Sequence, residues 1–196
     1  MIVHVTGAAL KAALLHAAKK DIRFYLNGVC IEAHEKETRV IGTDGHRAAV
    51  IRVPTENVSV SPGTRFIIPR ATVEAMKISK AALKHPIVIE GPNDNGEYRA
   101  TGVFGVAIFQ AVEGVFPDYR HIIPETTSGT LAQYNPAYLA DMAKAAELLG
   151  HKFIYVEHNG DGPARVTVPH YSDFVGVVMP VRSDKAEVPD TSWARA

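Results

Sequence analysis

The sequence predicts an α+β fold of antiparallel strands and three helices, and three observations lead there. One pattern occurs three times along the 196 residues: a short β-like start, a helix, then three or four strands. The strand-like runs are short and are separated by Gly, Asn, Asp and Pro, the residues of tight turns. One helix is marked at both ends, with Asn135 at the N-cap position, Pro136 at its first turn and Gly150 at its end.

The first copy starts at Ile2 to Val5 and continues into a helix from about Gly7 to Lys20, in which Leu10, Ala13, Leu14 and Ala17 share a face. Strands are expected at Phe24 to Leu26, Val29 to His34, Arg39 to Ile41 and Ala48 to Val53. Between the last two, Thr43-Asp44-Gly45-His46 reads as a hairpin turn, because glycine tolerates the positive φ such turns demand. The second copy has a strand at Arg65 to Ile68 and a helix from about Ala71 to Lys84, then strands at Ile87 to Glu90, Tyr98 to Thr101 and Val106 to Val112. The third opens at Gly129 to Gln133, passes through the Asn135-capped helix, and closes with strands at Lys152 to Glu157, Ala164 to Val168 and Phe174 to Pro180. Turns are expected at Ser61-Pro62-Gly63, Asn93 to Gly96 and Asn159 to Pro163. Phe116 to Ser128, with two prolines and Thr126-Thr127-Ser128, reads as a boundary, and residues 183–196 as a flexible polar tail carrying the lone Trp193.

An apolar fraction of 46% against 21% charged residues places the chain among ordinary globular proteins rather than disordered ones. Basic and acidic residues balance at 21 each, which excludes a uniformly basic nucleic-acid binder but leaves local patches open. Cys30, the single cysteine, sits in an apolar run and reads as a small core residue. The start Met1 to Val5 lacks a signal pattern and no apolar run approaches membrane length, so a cytoplasmic protein with no membrane association is expected.

Charge is distributed unevenly over the helices. Lys77, Lys80 and Lys84 fall on one arc of the second helix, opposite Met76, Ile78, Ala82 and Leu83. The first helix carries Lys11, His16, Lys19 and Lys20 before Asp21. Lysines favour exposed helix faces and C-termini in any protein. The sharper reading is a surface that neutralises phosphates without reading bases. Catalysis finds no support: Asp44 and His46 have no nucleophile beside them, the histidines lack ligand spacing, and Gly102 to Gly105 is a hairpin turn rather than a phosphate loop. No enzyme, cofactor or metal is expected.

Several segments in a fixed order carry a resemblance. Asp21 to Gly28, Ile41 to Val50 with its Gly-Thr-Asp-Gly-His-Arg core, Ile67 to Arg70 and Phe116 to Pro124 resemble the middle domain of the bacterial DNA polymerase III β sliding clamp family. The run from about Leu131 to Val177-Val178-Met179-Pro180-Val181-Arg182 resembles the second half of that family's last domain. The resemblance implies a DNA-clamp fold of three βαβββ half-domains, with helices on one face of antiparallel sheets. Residues 1–120 would form a complete clamp-like domain and 121–182 a half-domain. It implies a peptide-binding pocket of Leu26, Thr43, Gly45, His46, Arg47, Ala48, Pro117, Ile122, Val177 and Met179, where apolar side chains make a groove and methionine adapts to varied partners. It implies duplex-DNA contact through Lys11, Lys19, Lys20, Arg23, Lys77, Lys80, Lys84 and Lys144. Ala48 stands where the family has leucine, His121 where it has arginine, and Val181 where it has a second methionine.

The function this implies is a processivity factor in DNA replication that encircles duplex DNA as an oligomer and holds a polymerase or clamp loader through the pocket. A family clamp has six half-domains per chain, and this chain matches three. A homo-oligomer would have to make up the difference, either a dimer or a tetramer in which two third half-domains rebuild a domain. The alternative is a clamp-derived adaptor or decoy that keeps the pocket without the ring and competes for clamp-binding peptides.

Overall fold

The leading strands of the first two repeats change places. In the computed structural model, which describes residues 1–182 and 190–195, β1 (Ile2–Thr6) lies antiparallel to β6 (Pro86–Glu90), and β5 (Arg65–Pro69) lies antiparallel to β2 (Gly28–His34). Each repeat therefore completes the other's sheet. The first sheet has four strands in the order β1-β6-β7-β8, with β7 (Glu97–Gly102) and β8 (Gly105–Gln110) joined by the turn the sequence marks. The second has seven, in the order β5-β2-β3-β4-β11-β10-β9. Here β3 (Glu37–Thr43) and β4 (Arg47–Pro54) belong to the first repeat, and β9 (Tyr155–Glu157), β10 (Ala164–Val168) and β11 (Tyr171–Val178) to the third. The β4–β11 ladder, from Arg47 opposite Val178 to Ile51 opposite Phe174, carries the sheet across without a break.

Three helices, α1 (Gly7–Leu14), α2 (Arg70–Ala75) and α3 (Pro136–Leu148), cover one face. Their alternation of buried and exposed positions puts Leu10, Ala13, Val73, Met142, Ala145 and Ala146 into one core with Val3, Val29, Ile31, Val40, Ile51 and Ile89. Thr6 Oγ1 accepts from Ala9 N and caps α1, and Asn135 Oδ1 accepts from Ala137 N and caps α3, with Pro136 at its start. Two glycines let helices approach strands. A Cβ on Gly42 of β3 would lie 1.9 Å from the Ala13 carbonyl oxygen, and one on Gly176 of β11 would lie 2.6 Å from Met142 Sδ. The opposite face of β2, β3 and β5 is covered by the segment after β8, where Phe116 and Tyr119 pack on Cys30, Ile41 and Ile67. Cys30 is 1% exposed, and burial pushes its thiol up to about 12, so it is an inert core residue as its neighbours in sequence suggest.

Several expected elements are corrected. Phe24–Leu26 is a 3₁₀ turn, not a strand, because Asn27 closes the loop by accepting from Asp21 N and donating to Asp21 O. Helix α1 stops at Leu14 rather than near Lys20, since Arg70 donates to the carbonyls of Leu14, Ala17 and Ala18 and fixes the chain in turns. Helix α2 ends at Ala75: Lys77 adopts φ +46°, and Ile78 and Ala82 are buried against Gly7 in α1 instead of continuing the helix. Lys77, Lys80 and Lys84 thus stand exposed on an irregular segment, not on one helical arc. Gly129 to Gln133 enters no ladder among the described residues, and the strand expected from Lys152 begins only at Tyr155. Of the expected tail, residues 183–189 and 196 lie outside the described residues; Ser192–Arg195 forms a 3₁₀ turn with Trp193 76% exposed.

Helix seating supplies a direct test. Gly42→Ala should destabilise the fold by at least about 3 kcal/mol, because the intruding methyl meets backbone that cannot yield. Gly176→Ala should cost clearly less, since the thioether of Met142 can rotate away. Urea unfolding followed by circular dichroism measures both, and equal losses would contradict this account.

Candidate functional site

The strongest candidate site begins with a four-residue turn. Between β3 and β4, Asp44 Oδ1 accepts from the backbone N–H groups of His46 (2.9 Å) and Arg47 (3.1 Å), and Gly45 turns with φ +90°. Thr43 Oγ1 donates to Arg47 O (2.7 Å) and accepts from Gly45 N (3.1 Å). These bonds aim Arg47 across the seam between the first and third repeats. Its Nε donates to Asp44 Oδ2 (3.0 Å), its Nη1 to Asp141 Oδ2 on α3 (2.6 Å) and its Nη2 to Leu15 O (3.2 Å). The guanidinium also lies 4.5 Å over the ring of Tyr138 on α3, and His46 stacks near the same ring. On the other strand, Met179 N donates to His46 O (2.9 Å) just past the end of β11.

Beside this seam is a cavity of about 220 Å³. Leu26, Thr43, Gly45, His46 and Arg47 line it from the first repeat, Pro117 and Ile122 from the joining segment, and Val177 and Met179 from the third. Nine of the ten residues implied for a pocket are therefore brought together. The tenth, Ala48, does not line it: at 1% exposed it sits within the ladder, opposite Thr43 on β3 and Val177 on β11. Tyr25, Asp118 and Tyr119 also line the cavity and were not anticipated, and Arg23, expected at DNA, lines it as well; all four lie inside the very segments that carry the resemblance.

The joining segment is pinned by a charge cluster. Glu32 on β2 is 2% exposed and accepts from Arg65 Nε (2.7 Å), Arg120 Nη2 (2.5 Å), His34 Nε2 (3.0 Å) and Arg39 Nη1 (3.3 Å). Burial alone would raise its pKa, but the hydrogen bonds from His34 and Arg65 and the nearby arginine charges outweigh it and hold the carboxyl below its ordinary range. Arg120 follows Pro117 and precedes Ile122, so this cluster sets the height of the cavity wall.

A second, wider concavity of about 810 Å³ opens on the helix side, lined by Lys11, Lys19, Lys20, Arg23, Arg47, Arg70 and Lys144 against Asp21, Asp44, Glu74 and Asp141. The acids are already engaged: Asp21 by Arg23, Asp44 and Asp141 by Arg47, and Glu74 by Arg70. Lys19, Lys20 and Lys144 stand exposed around it, while Lys11 Nζ donates to Ile78 O. Five of the eight residues implied for DNA contact share this concavity; Lys77, Lys80 and Lys84 do not line it. Asp44 is consumed by the turn and by Arg47, which leaves it no free oxygen for acid–base work. Among the described residues no three side chains group as metal ligands, and no helix is long and apolar enough to cross a membrane.

Exchanged leading strands, and a layer of helices on one face of antiparallel sheets with a cationic concavity on the helix side, define a protein of the sliding-clamp class. Residues 6–118 match the family described as DNA polymerase III beta subunit, central domain, and the chain belongs to that family. It is 32% identical over 148 residues to the beta sliding clamp of Salmonella typhimurium, covering 72% of this chain and 39% of that protein. It is 34% identical over 171 residues to that of Vibrio cholerae, covering 84% and 45%. The chain thus spans about two fifths of the length of the curated relatives it matches. In fold it is similar to the DNA polymerase III subunit beta of Pseudomonas aeruginosa, with a TM-score of 0.76 at 18% identity over 93% of this chain and 67% of that one. It is equally similar to the Thermotoga maritima beta subunit, with a TM-score of 0.76 at 16% identity over 93% and 66%.

Two outcomes test the seam. Arg47→Ala should cost about 3 kcal/mol by stranding Asp44 and Asp141, and Arg47→Lys should recover less than half, because an ammonium cannot reach all three partners. The second test is pH. His16, fully buried, donates through Nδ1 to Ala12 O, and burial lowers its pKa from 6.5 to about 4. The unfolded chain therefore takes up a proton below pH 6.5 that the fold refuses, and stability declines from there to about pH 4 by on the order of 3 kcal/mol. Denaturant midpoints across that window should flatten in His16→Gln; an unchanged slope would assign the decline elsewhere.

Proposed function

We propose that this chain is a non-catalytic processivity factor that encircles duplex DNA as an oligomer and tethers a DNA polymerase or clamp loader by a short peptide held in the cavity at the β4–β11 seam. The observation that carries this reading is the cavity itself: it draws its apolar wall from two repeats and the segment joining them, and it is too small for anything but a few side chains. Leu26, Ile122, Val177 and Met179 suit apolar anchors, and the arginines at its rim suit an acidic or carboxyl group. The helix-side lysines fit a sequence-independent hold on phosphates, with linkage rather than affinity preventing escape. In this reading residues 1–120 act as a complete clamp-like domain and 121–182 as a half-domain, in the cytoplasm where replication takes place. The competing reading, an adaptor or decoy that uses the pocket without a ring, is favoured by one observation: these residues complete the cavity among themselves.

Two variants test these readings. Met179→Glu should weaken binding of a fluorescent peptide bearing adjacent Leu and Phe anchors at least tenfold by anisotropy, and unchanged affinity would refute the pocket. Lys19→Glu with Lys20→Glu and Lys144→Glu should abolish salt-sensitive binding to a duplex oligonucleotide. Each lysine replaced singly should flatten the slope of affinity against log salt by about one. Peptide binding with no duplex binding in the parent protein would select the adaptor.

A further inference from the structure

The first two repeats give a rule for completing a sheet, and the third repeat lacks its complement. In the first, β2 follows the helix and takes β5, the strand preceding the other repeat's helix, along its outer edge, with Glu32 opposite Arg65 and Gly28 opposite Pro69. In the second, β6 takes β1 in the same sense, with Glu90 opposite Ile2 and Pro86 opposite Thr6. In the third, β9 is the strand that follows the helix, and it ends the seven-stranded sheet with nothing on its outer edge among the described residues. The segment preceding its helix, residues 131–135, is likewise in no ladder; its start is held by the same copy's stretch past β9, through Gly129 N to His158 O, Gly160 N to Thr130 O and Ala132 N to His158 Nδ1, and pairing with a second copy would replace the last of these.

That segment is nonetheless held in the attitude of a donated strand. One edge of β1 is bonded to the stretch following β4, through Ile2 N to Val58 O and Val58 N to Ile2 O, which leaves its other edge for β6. In the third repeat Gln133 O accepts from Val181 N, in the stretch following β11, which is the same relation. Leu131 is 81% exposed, and at the bare edge Phe153 and Tyr155 are 74% and 62% exposed. An unpaired edge with apolar side chains beside an extended segment is a template for strand addition.

We infer that two copies of this chain pair through their third repeats, each laying residues 131–135 antiparallel along the β9 edge of the other. Carried over from both internal exchanges, the register sets Leu131 opposite the partner copy's Glu157, Gln133 opposite its Tyr155 and Asn135 opposite its Phe153. Leu131 and Tyr155 then lie diagonally on one face, within reach of each other. The contact is isologous, so it closes as a two-fold dimer and leaves β8 as the next edge without a strand among the described residues. This deepens the ring reading by naming the contact that would rebuild a full domain, but its geometry rests on the internal strand exchange and not on DNA.

Cysteine cross-linking tests the register. The intact chain carrying Gln133→Cys and Tyr155→Cys should form a disulfide-linked dimer on mild oxidation, and an equimolar mixture of the two single variants should do so while neither does alone. Cys30 is buried and does not interfere. Leu131→Lys with Tyr155→Lys should halve the molar mass in light scattering with the far-UV spectrum unchanged. A monomeric parent protein, or an oligomer that neither cross-links nor responds to the lysines, overturns the inference. Cross-linking without duplex binding would end the ring reading and leave the interface standing; duplex binding by a monomer would do the reverse.

Discussion

The ladder between β4 and β11 is the constraint on which the rest of this molecule depends. It joins strands far apart in sequence into one sheet, and every wall of the seam cavity is placed relative to it. Backbone pairing alone fixes register, not tilt. Tilt comes from Arg47, whose single guanidinium holds the hairpin carboxylate, the end of α1 and the α3 carboxylate at once. With a side chain only 10% exposed, these bonds act with little competition from water.

The cluster at Glu32 plays a complementary part on the other face. Without it the segment from Phe116 to Ile122 would be a surface loop of the ordinary mobile kind. With Arg120 anchored on a buried carboxylate and Tyr119 packed on Cys30 and Ile67, the loop becomes a wall. The cavity is thus lined by a hairpin turn, the turn before β2, a strand end and a loop, each immobilised by a separate set of bonds.

Much of this was legible in the residues. The Asn135 cap, the Asp44-Gly45 turn and the short apolar runs of β2 to β4 act through neighbours in sequence, and such signals survive folding intact. What could not be read depended on distant partners. Nothing near Lys77 announces that Ile78 and Ala82 will be buried against Gly7, so a helix that local pattern extended to Lys84 stops at Ala75. Nothing near Ala17 announces that Arg70 will claim its carbonyl. The cavity residues were gathered by resemblance, not by periodicity, because a pocket assembled from four separated segments has no period. Ala48 illustrates the limit: it shares a sheet face with its ladder partners Thr43 and Val177, which line the cavity, but its short methyl is buried between them.

The exchange of leading strands also dictates the order in which the fold can assemble. Ile2 to Thr6 is made well before Pro86 to Glu90, beside which it belongs, and β2 must likewise wait for Arg65 to Pro69. Neither repeat can bury its core while the other is still being synthesised. The nascent chain therefore carries β1 unpaired until most of the first two repeats has left the ribosome, and the two must then condense together. A chain cut between them would yield two fragments with exposed edges rather than two small domains, each needing the other's first strand to fold.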